Sequence, residues 1–329
     1  MTLEERHLTR SALEQMSVRL IGLAALLAAA WFAGGQMPTK LRPAAETACG
    51  DSVRLSWEPA SPRQGALFRV RVSGVPPGAS LVGRAGPEIL HFMPARGISG
   101  AIVSLAAVPI DATDSLGIEV QCAAGGRADT LTAHVTPTRG AYSVERLRVA
   151  PAFGRPPDSA LAARIQLESG RAAEVASASH DTPRLWDEPF VRPRASRITS
   201  GYGRGREYNG TITSRHMGTD FAGAPGSPVR AANRGVARIV DAFYYGGNVV
   251  YLDHGSGLTT AYLHLSTQRL AVNDTVERGQ IIGTVGATGR VTGPHLHFIV
   301  RYGTVTVDPL SLYAIVGDSM SRPAASRPK

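Results

Sequence analysis

The sequence predicts a mostly β protein, with an N-terminal small β-sandwich, a connecting helix and a C-terminal antiparallel β-sheet domain. Three observations carry that expectation. Short apolar runs of strand length recur from about residue 48 to 137 and again from about 197, with turn residues between them. Gly 36 and Pro 22 in 329 residues go with few long helical patterns. One intervening stretch, 156–180, has an Ala/Arg/Glu/Leu composition that sustains a helix.

Composition narrows the class further. Hydrophobic content of 43% against 19% charged residues excludes global disorder, and 329 residues suffice for two domains with a core each. Two cysteines are too few for a disulfide-stapled miniprotein or a four-cysteine zinc site. The net charge of +9 points to an acidic partner without saying which. Lys occurs only at Lys40 and Lys329, an Arg bias that genome base composition produces as readily as selection for anion binding.

Arg6, Arg10 and Arg19 precede an uncharged run that begins LIGLAALLAAAWFAGG at Leu20. A basic flank followed by an apolar run is the pattern of a secretory signal or a signal anchor. On this reading 1–19 is a cytoplasmic N-terminus and 20–37 a signal peptide or a signal anchor in the inner membrane. The rest is exported to the periplasm or cell envelope. Ala33-Gly34-Gly35 offers a cleavage site, and about 20 apolar residues also span a bilayer, so cleavage stays open. Cys49 and Cys122 follow this segment, where an oxidising compartment lets them pair. The bridge would close a loop of about 73 residues, worth roughly 4 kcal/mol in the chain-entropy picture. Two buried free thiols are the alternative.

Strands are expected at 52–57, 67–73, 101–108, 117–122 and 129–135, forming a sandwich over 48–137. In LFRVRVS, Leu67, Val70 and Val72 are interleaved with Arg69 and Arg71. No motif for chemistry occurs here, and His91 and His134 read as isolated structural or surface residues. Pro156-Pro157-Asp158-Ser159 can start the connecting helix. Pro183, Pro189 and Pro193 make 181–196 an extended linker, and the Ser/Pro/Arg/Ala-rich 316–329 reads as a disordered tail. Between them, 197–315 carries strand candidates at 236–243, 248–254, 259–265, 280–285 and 295–301. Gly246-Gly247 and Gly255-Ser256-Gly257 supply tight hairpin connections.

The chemistry is concentrated in this last region. His216 and Asp220 sit in HMGTD, where Gly218 argues against a helix, so a bent loop entering a strand must bring both side chains together. His295 and His297 alternate on a strand and face one side, with Leu296 and Phe298 towards the core. Two imidazoles and a carboxylate are a standard ligand set for a catalytic zinc that keeps a fourth position for water. The two groups hold one His more than such a site needs, and His264 on a third strand adds another. Spare histidines beside a zinc suit hydrolysis, since the metal acidifies water and imidazoles can move its protons. Asp253-His254-Gly255 reads as a hairpin turn, and His7 and His180 as solvated.

RxYNG at 206–210, HMGTDFA at 216–222, YLHLS at 262–266, GQIIGTVGATGRVTGPHLHF at 279–298 and VDPL at 307–310 occur in order. Through these motifs, residues from about 185 to 312 resemble the zinc metallopeptidase family of LytM and lysostaphin, the M23 peptidases. The resemblance implies that His216, Asp220 and His297 bind Zn2+, that His295 is the general base for the metal-bound water, and that His264 stabilises the tetrahedral intermediate. It implies a zinc metalloendopeptidase cutting peptide bonds in peptidoglycan stems or cross-links. Some relatives block the zinc with an Asn, which makes Asn209 a candidate for that role. The expected partners are peptidoglycan and, if the N-terminal segment is uncleaved, the membrane; a monomer is expected and no nucleic acid.

The alternative is a catalytically silent LytM-like regulator that activates a cell-wall amidase. Silent relatives usually lack a ligand, whereas all five polar residues are present here. GQIIGTVG also resembles lipoyl and biotinyl carriers, but the domain has no Lys to modify. The Gly-rich run 286–293 precedes a strand rather than a helix, so it does not read as a phosphate loop.

Overall fold

The computed structural model describes residues 49–50, 52–95, 100–210 and 212–316. The expected cytoplasmic N-terminus, the 20–37 signal segment, His7 and the tail beyond residue 316 lie outside the described residues. Among the described residues no helix is long and apolar enough to cross a membrane.

The N-terminal region contains β1 (Arg54–Glu58), β2 (Leu67–Ser73), β3 (Ser80–Ala85), β4 (Glu88–Ile89), β5 (Met93–Pro94), β6 (Ala101–Ala107), β7 (Leu116–Ala124) and β8 (Arg127–Val135). They form two four-stranded sheets, ordered β1-β2-β6-β5 and β4-β3-β7-β8. Strand alternation places Phe68, Val70 and Val72 between the sheets, in one core with Ile118, Val120 and Cys122. Cys49 and Cys122 are joined by a disulfide, which resolves the alternative left open by the sequence. Three further strands, β3, β4 and β5, complete the sandwich without having been expected.

Strand β6 is buried on both faces. Ala106 belongs to the sandwich core, whereas Val103, Leu105 and Ala107 join Phe221, Tyr262 and Phe298 in the core of the C-terminal domain. Its sequence AIVSLAA accordingly does not alternate: it is apolar throughout except for Ser104, whose buried hydroxyl bonds the Leu105 carbonyl. Sandwich and C-terminal domain share packed surface and belong to one compact unit.

After the sandwich come β9 (Val144–Leu147) and α1 (Ser159–Ala178), capped by the Asp158 carboxylate, which accepts from Leu161 N–H at 2.8 Å. The C-terminal domain adds β10 (Ile198–Ser200), β11 (Gly205–Tyr208), β12 (Ile212–Arg215), β13 (Thr219–Ala222), β14 (Pro228–Arg230), β15 (Gly235–Phe243), β16 (Gly247–Gly255), β17 (Leu258–Gln268), β18 (Thr275–Val276), β19 (Ile281–Val285), β20 (His295–Tyr302), β21 (Val305–Val307) and the short α2 (Pro309–Ile315). A ten-stranded sheet runs β10-β13-β20-β17-β16-β15-β18 along its main path. A smaller sheet holds β12-β11-β9, with β9 parallel to β11.

The two faces of the large sheet have different coverings. Tyr262, Leu296, Phe298 and Val300 point into the core shared with β6. Leu263 and Ile299 point the other way, against Ala172 and Val175 of α1. By alternation His295 and His297 share that second face with Ile299.

One histidine differs from the sequence expectation, and it draws in a second. The His180 side chain is only 8% exposed rather than solvated: its Nε2 lies 2.8 Å from Glu88 Oε2 and its Nδ1 lies 2.8 Å from His91 Nε2. His91 is therefore structural but not isolated. Glu88 also accepts from the Thr304 N–H and hydroxyl, so the chain His91–His180–Glu88–Thr304 ties β4 to the turn after β20. Neither sequence neighbourhood signals this, because the partners come from separate domains.

Two outcomes are expected. Replacing Cys49 and Cys122 by Ser removes a cross-link across 73 residues and should cost about 4 kcal/mol, read as a fall in the denaturant midpoint. An unchanged midpoint would refute a stabilising bridge. The second concerns pH. His91 is held down to about 4, by burial first and then by the charge on His180, and burial carries His254 to about 4 as well. The unfolded imidazoles take up protons near 6.5 while the folded ones wait until about 4. Stability of the metal-free protein should therefore fall as pH drops through that window, measured by urea unfolding at several pH values.

Candidate metal centre

Strands β13 and β20 pair antiparallel with Asp220 directly opposite His297. A single cross-strand pair thus supplies two of the donors. His216 enters from the bend before β13, where its backbone N–H donates to the Arg204 carbonyl and its own carbonyl accepts from Gly203 N–H. His216 Nε2 lies 3.0 Å from Asp220 Oδ1 and 2.9 Å from His297 Nδ1, and His297 Nδ1 lies 2.7 Å from the same oxygen. All three side chains are buried.

Backbone carbonyls select the tautomers. His216 Nδ1 lies 2.8 Å from Gly201 O, His264 Nδ1 2.8 Å from Thr288 O, and His295 Nδ1 2.8 Å from Gly293 O. A carbonyl only accepts, so in each neutral ring Nδ1 carries the hydrogen and Nε2 is left bare. His295 Nε2 is 3.7 Å from Asp220 Oδ1. The His264 ring stacks obliquely on its neighbours, with centroids 4.9 Å from His295 and 5.9 Å from His297. The structure brings all five expected residues to one place.

Two local departures from regular strand make this possible. His264 has φ +62°, a left-handed conformation costing a non-glycine residue roughly 1–2 kcal/mol. Leu263 pairs with His297 on β20 and Leu265 with Val285 on β19, so His264 marks the point where β17 changes partner. At Gly218 a Cβ would stand 2.6 Å from the Phe298 carbonyl and 2.7 Å from His297 Cε1. Only glycine lets the loop pass so close to the ring.

Charge at the centre is balanced by a group to which no role was given from sequence. The Arg206 guanidinium donates to Asp220 Oδ2 at 2.6 Å and lies 3.6 Å from Glu145 Oε2. Burial acts to raise the Asp220 pKa, but the His216 and His297 side chains, 3.0 Å and 2.7 Å from its Oδ1, hold it well below the usual carboxylate range. Burial also opposes the charge on Arg206, and the field of Asp220 overcomes it. Glu145 is supplied by β9, far away in sequence, so only the parallel β9–β11 pairing reveals it.

Asn209 does not block the donors; its amide bonds the backbone N–H and carbonyl of Val149. His254 is fully buried at the end of β16, satisfied by the Arg234 carbonyl and the Thr260 hydroxyl.

Two nitrogens and one oxygen, buried and converging, fit a divalent cation, and the mix of two imidazoles and a carboxylate is the ligand type of a catalytic zinc. A groove of about 410 Å3 borders Asp220 and His295, and a smaller hollow borders His216, His264 and His297, leaving room for a substrate.

A mostly β domain with a two-histidine, one-aspartate centre open to a groove can hold a metal ion beside a bound substrate. Residues 214–309 match the model of Peptidase family M23. Peptidoglycan DD-endopeptidase ShyB of Vibrio cholerae is 39% identical over 127 residues, 38% of this chain and 29% of that protein. Peptidoglycan DD-endopeptidase ShyA of the same organism is 49% identical over 88 residues, 26% of this chain and 20% of that protein. The chain spans less than a third of the length of these curated relatives. A solved structure from Pseudomonas aeruginosa, described as a peptidase M23, shares the fold, with TM-score 0.60 and 21% identity over 77% of this chain and 95% of that one. The C-terminal domain of this chain belongs to peptidase family M23, of the LytM and lysostaphin type.

Replacing Gly218 with Ala should displace the His297 ring and weaken the affinity of the centre for an added divalent cation by about 10- to 100-fold, as loss of ligand positioning does elsewhere. Competition with a chromophoric chelator measures this, with circular dichroism to check folding. Wild-type affinity in the variant would show that the close approach is not required.

Proposed function

We propose that the protein is a zinc-dependent endopeptidase that hydrolyses peptide bonds in peptidoglycan stems or cross-links. The observation that carries this reading is the convergence of His216, Asp220 and His297, with His264 and His295 beside them, between an open groove and a smaller hollow. Zinc held by His216, Asp220 and His297 would supply a Lewis acid that acidifies water and polarises the scissile carbonyl.

His295 presents its bare Nε2, fixed by the Gly293 carbonyl, to take a proton from the attacking water and return it to the leaving amine. His264 has its Nδ1 hydrogen committed to Thr288 and is held neutral at rest, by burial first and then by the charges of His297 and His295. Its Nε2 therefore donates to the oxyanion only as the imidazolium, a state that the developing negative charge favours. Arg206 keeps Asp220 ionised and oriented.

The peptidoglycan DD-endopeptidases among its relatives support peptidoglycan as the substrate, and a basic protein suits an anionic wall polymer. We place its action in the periplasm or cell envelope, as a monomer, with 20–37 tethering it to the membrane if uncleaved. The amidase-regulator alternative calls for a defective ligand set, and His216, Asp220 and His297 are all present.

Purified peptidoglycan provides the test. Chelation should abolish release of soluble fragments and zinc should restore it. His295→Ala should lower the rate about 100-fold or more while zinc stays bound. Undiminished lysis by Asp220→Ala would reject the reading.

A further inference from the structure

The groove holds a cation that the reaction above leaves unused. Arg290 lies in the loop between β19 and β20 that leads into His295. Its backbone N–H donates to the Tyr245 carbonyl at 2.9 Å. Its guanidinium carbon stands 4.1 Å from the centroid of the Tyr208 ring and 4.0 Å from that of Tyr245. The planar group is thus held by two aromatic rings. Gly289, at φ +73°, permits this course, because a Cβ there would collide with the backbone of Gly247 and Tyr245.

This arrangement differs from that of the other arginine at the centre. Arg206 spends its charge on Asp220 and Glu145. Arg290 forms no ion pair with a carboxylate among the described residues, and its side-chain contacts are the two rings. Cation–π contact with two rings fixes a guanidinium in place without neutralising its charge, and guanidinium N–H groups match a carboxylate with two parallel hydrogen bonds. Tyr208 and Arg290 border both the groove beside Asp220 and His295 and the hollow beside His216, His264 and His297. Arg197 also borders the first and adds positive charge. A rotamer-rich side chain immobilised next to the reacting position, with its charge unspent, has already lost the entropy that binding an anion would cost it.

We propose that Arg290, clamped by Tyr208 and Tyr245, binds a carboxylate of the peptide substrate close to the bond that is cut. The substrate is then an acidic peptide with a free carboxyl group at that point, and amidation of the group weakens recognition. The proposal rests on the endopeptidase reading and deepens it.

The test uses synthetic cross-linked stem-peptide dimers, one with every carboxyl group free and others with one carboxyl amidated at a time. Binding is measured by calorimetry on zinc-loaded His295→Ala protein with Arg290 intact, and with Arg290→Met or Arg290→Lys added. One particular amidation should weaken binding at least tenfold when Arg290 is present and less than threefold in the Arg290→Met variant. The Arg290→Lys variant should keep part of the discrimination, because it keeps the charge but not the planar fork. Turnover by protein with His295 intact should show the same preference in KM rather than kcat. If no single amidation costs more with Arg290 present than in the Arg290→Met variant, the proposal is overturned, whether or not the dimers are cut. Failure of the His295-containing protein to cut any dimer would instead overturn the endopeptidase reading, and binding would still decide the role of Arg290.

Discussion

The register between β13 and β20 is the constraint on which the rest of the site depends. Asp220 faces His297 because Phe221 pairs with Leu296 and Thr219 with Phe298, and Phe221, Leu296 and Phe298 are fully buried behind the sheet. A slip by one residue would turn the donors into the core and the phenyl rings into the groove. Hydrophobic burial on one face therefore sets the chemistry on the other. Gly218 and the Arg204–His216 backbone bonds then bring the third donor to meet the first two.

Around that pair the polar groups are arranged in layers. Carbonyls of Gly201, Thr288 and Gly293 orient three imidazoles, and Arg206 compensates the buried carboxylate. Glu145 then bridges Arg206 and Arg204, so the outermost layer comes from a strand that precedes α1. The domain boundary suggested by the sequence does not separate function cleanly: β9 completes the surroundings of a centre whose donors all lie beyond residue 215.

Much of this was legible from local pattern. The five expected strands of the C-terminal domain are present, shifted by at most a few residues, because runs such as NVVYLDH and IIGTV are apolar and end at glycines. His295 and His297 could be placed on one face from strand periodicity, and the bend at Gly218 from its residue type. The resemblance to M23 peptidases supplied the division of roles among the histidines. What escaped was set by long-range contact. SLVGRA and the two-residue strands β4 and β5 carry weak strand signals and form by pairing with longer neighbours. His180 looked solvated because its partners, Glu88 and His91, belong to the sandwich. Arg206 stood in a recognised motif, but nothing local said that Asp220 would be its partner. The tyrosines flanking Arg290 come from β11 and from the turn between β15 and β16.

The three carbonyl contacts have a thermodynamic consequence. By fixing hydrogens on the far sides of His216, His264 and His295, the backbone aims bare nitrogens towards a region that already contains the Asp220 charge. Electron pairs gathered in this way repel one another unless something positive lies among them. A cation bound among them would offset that repulsion. Cation affinity and the resistance of the domain to unfolding would then be linked, so a change that relaxes the histidines would weaken the hold on the ion and the stability that binding adds.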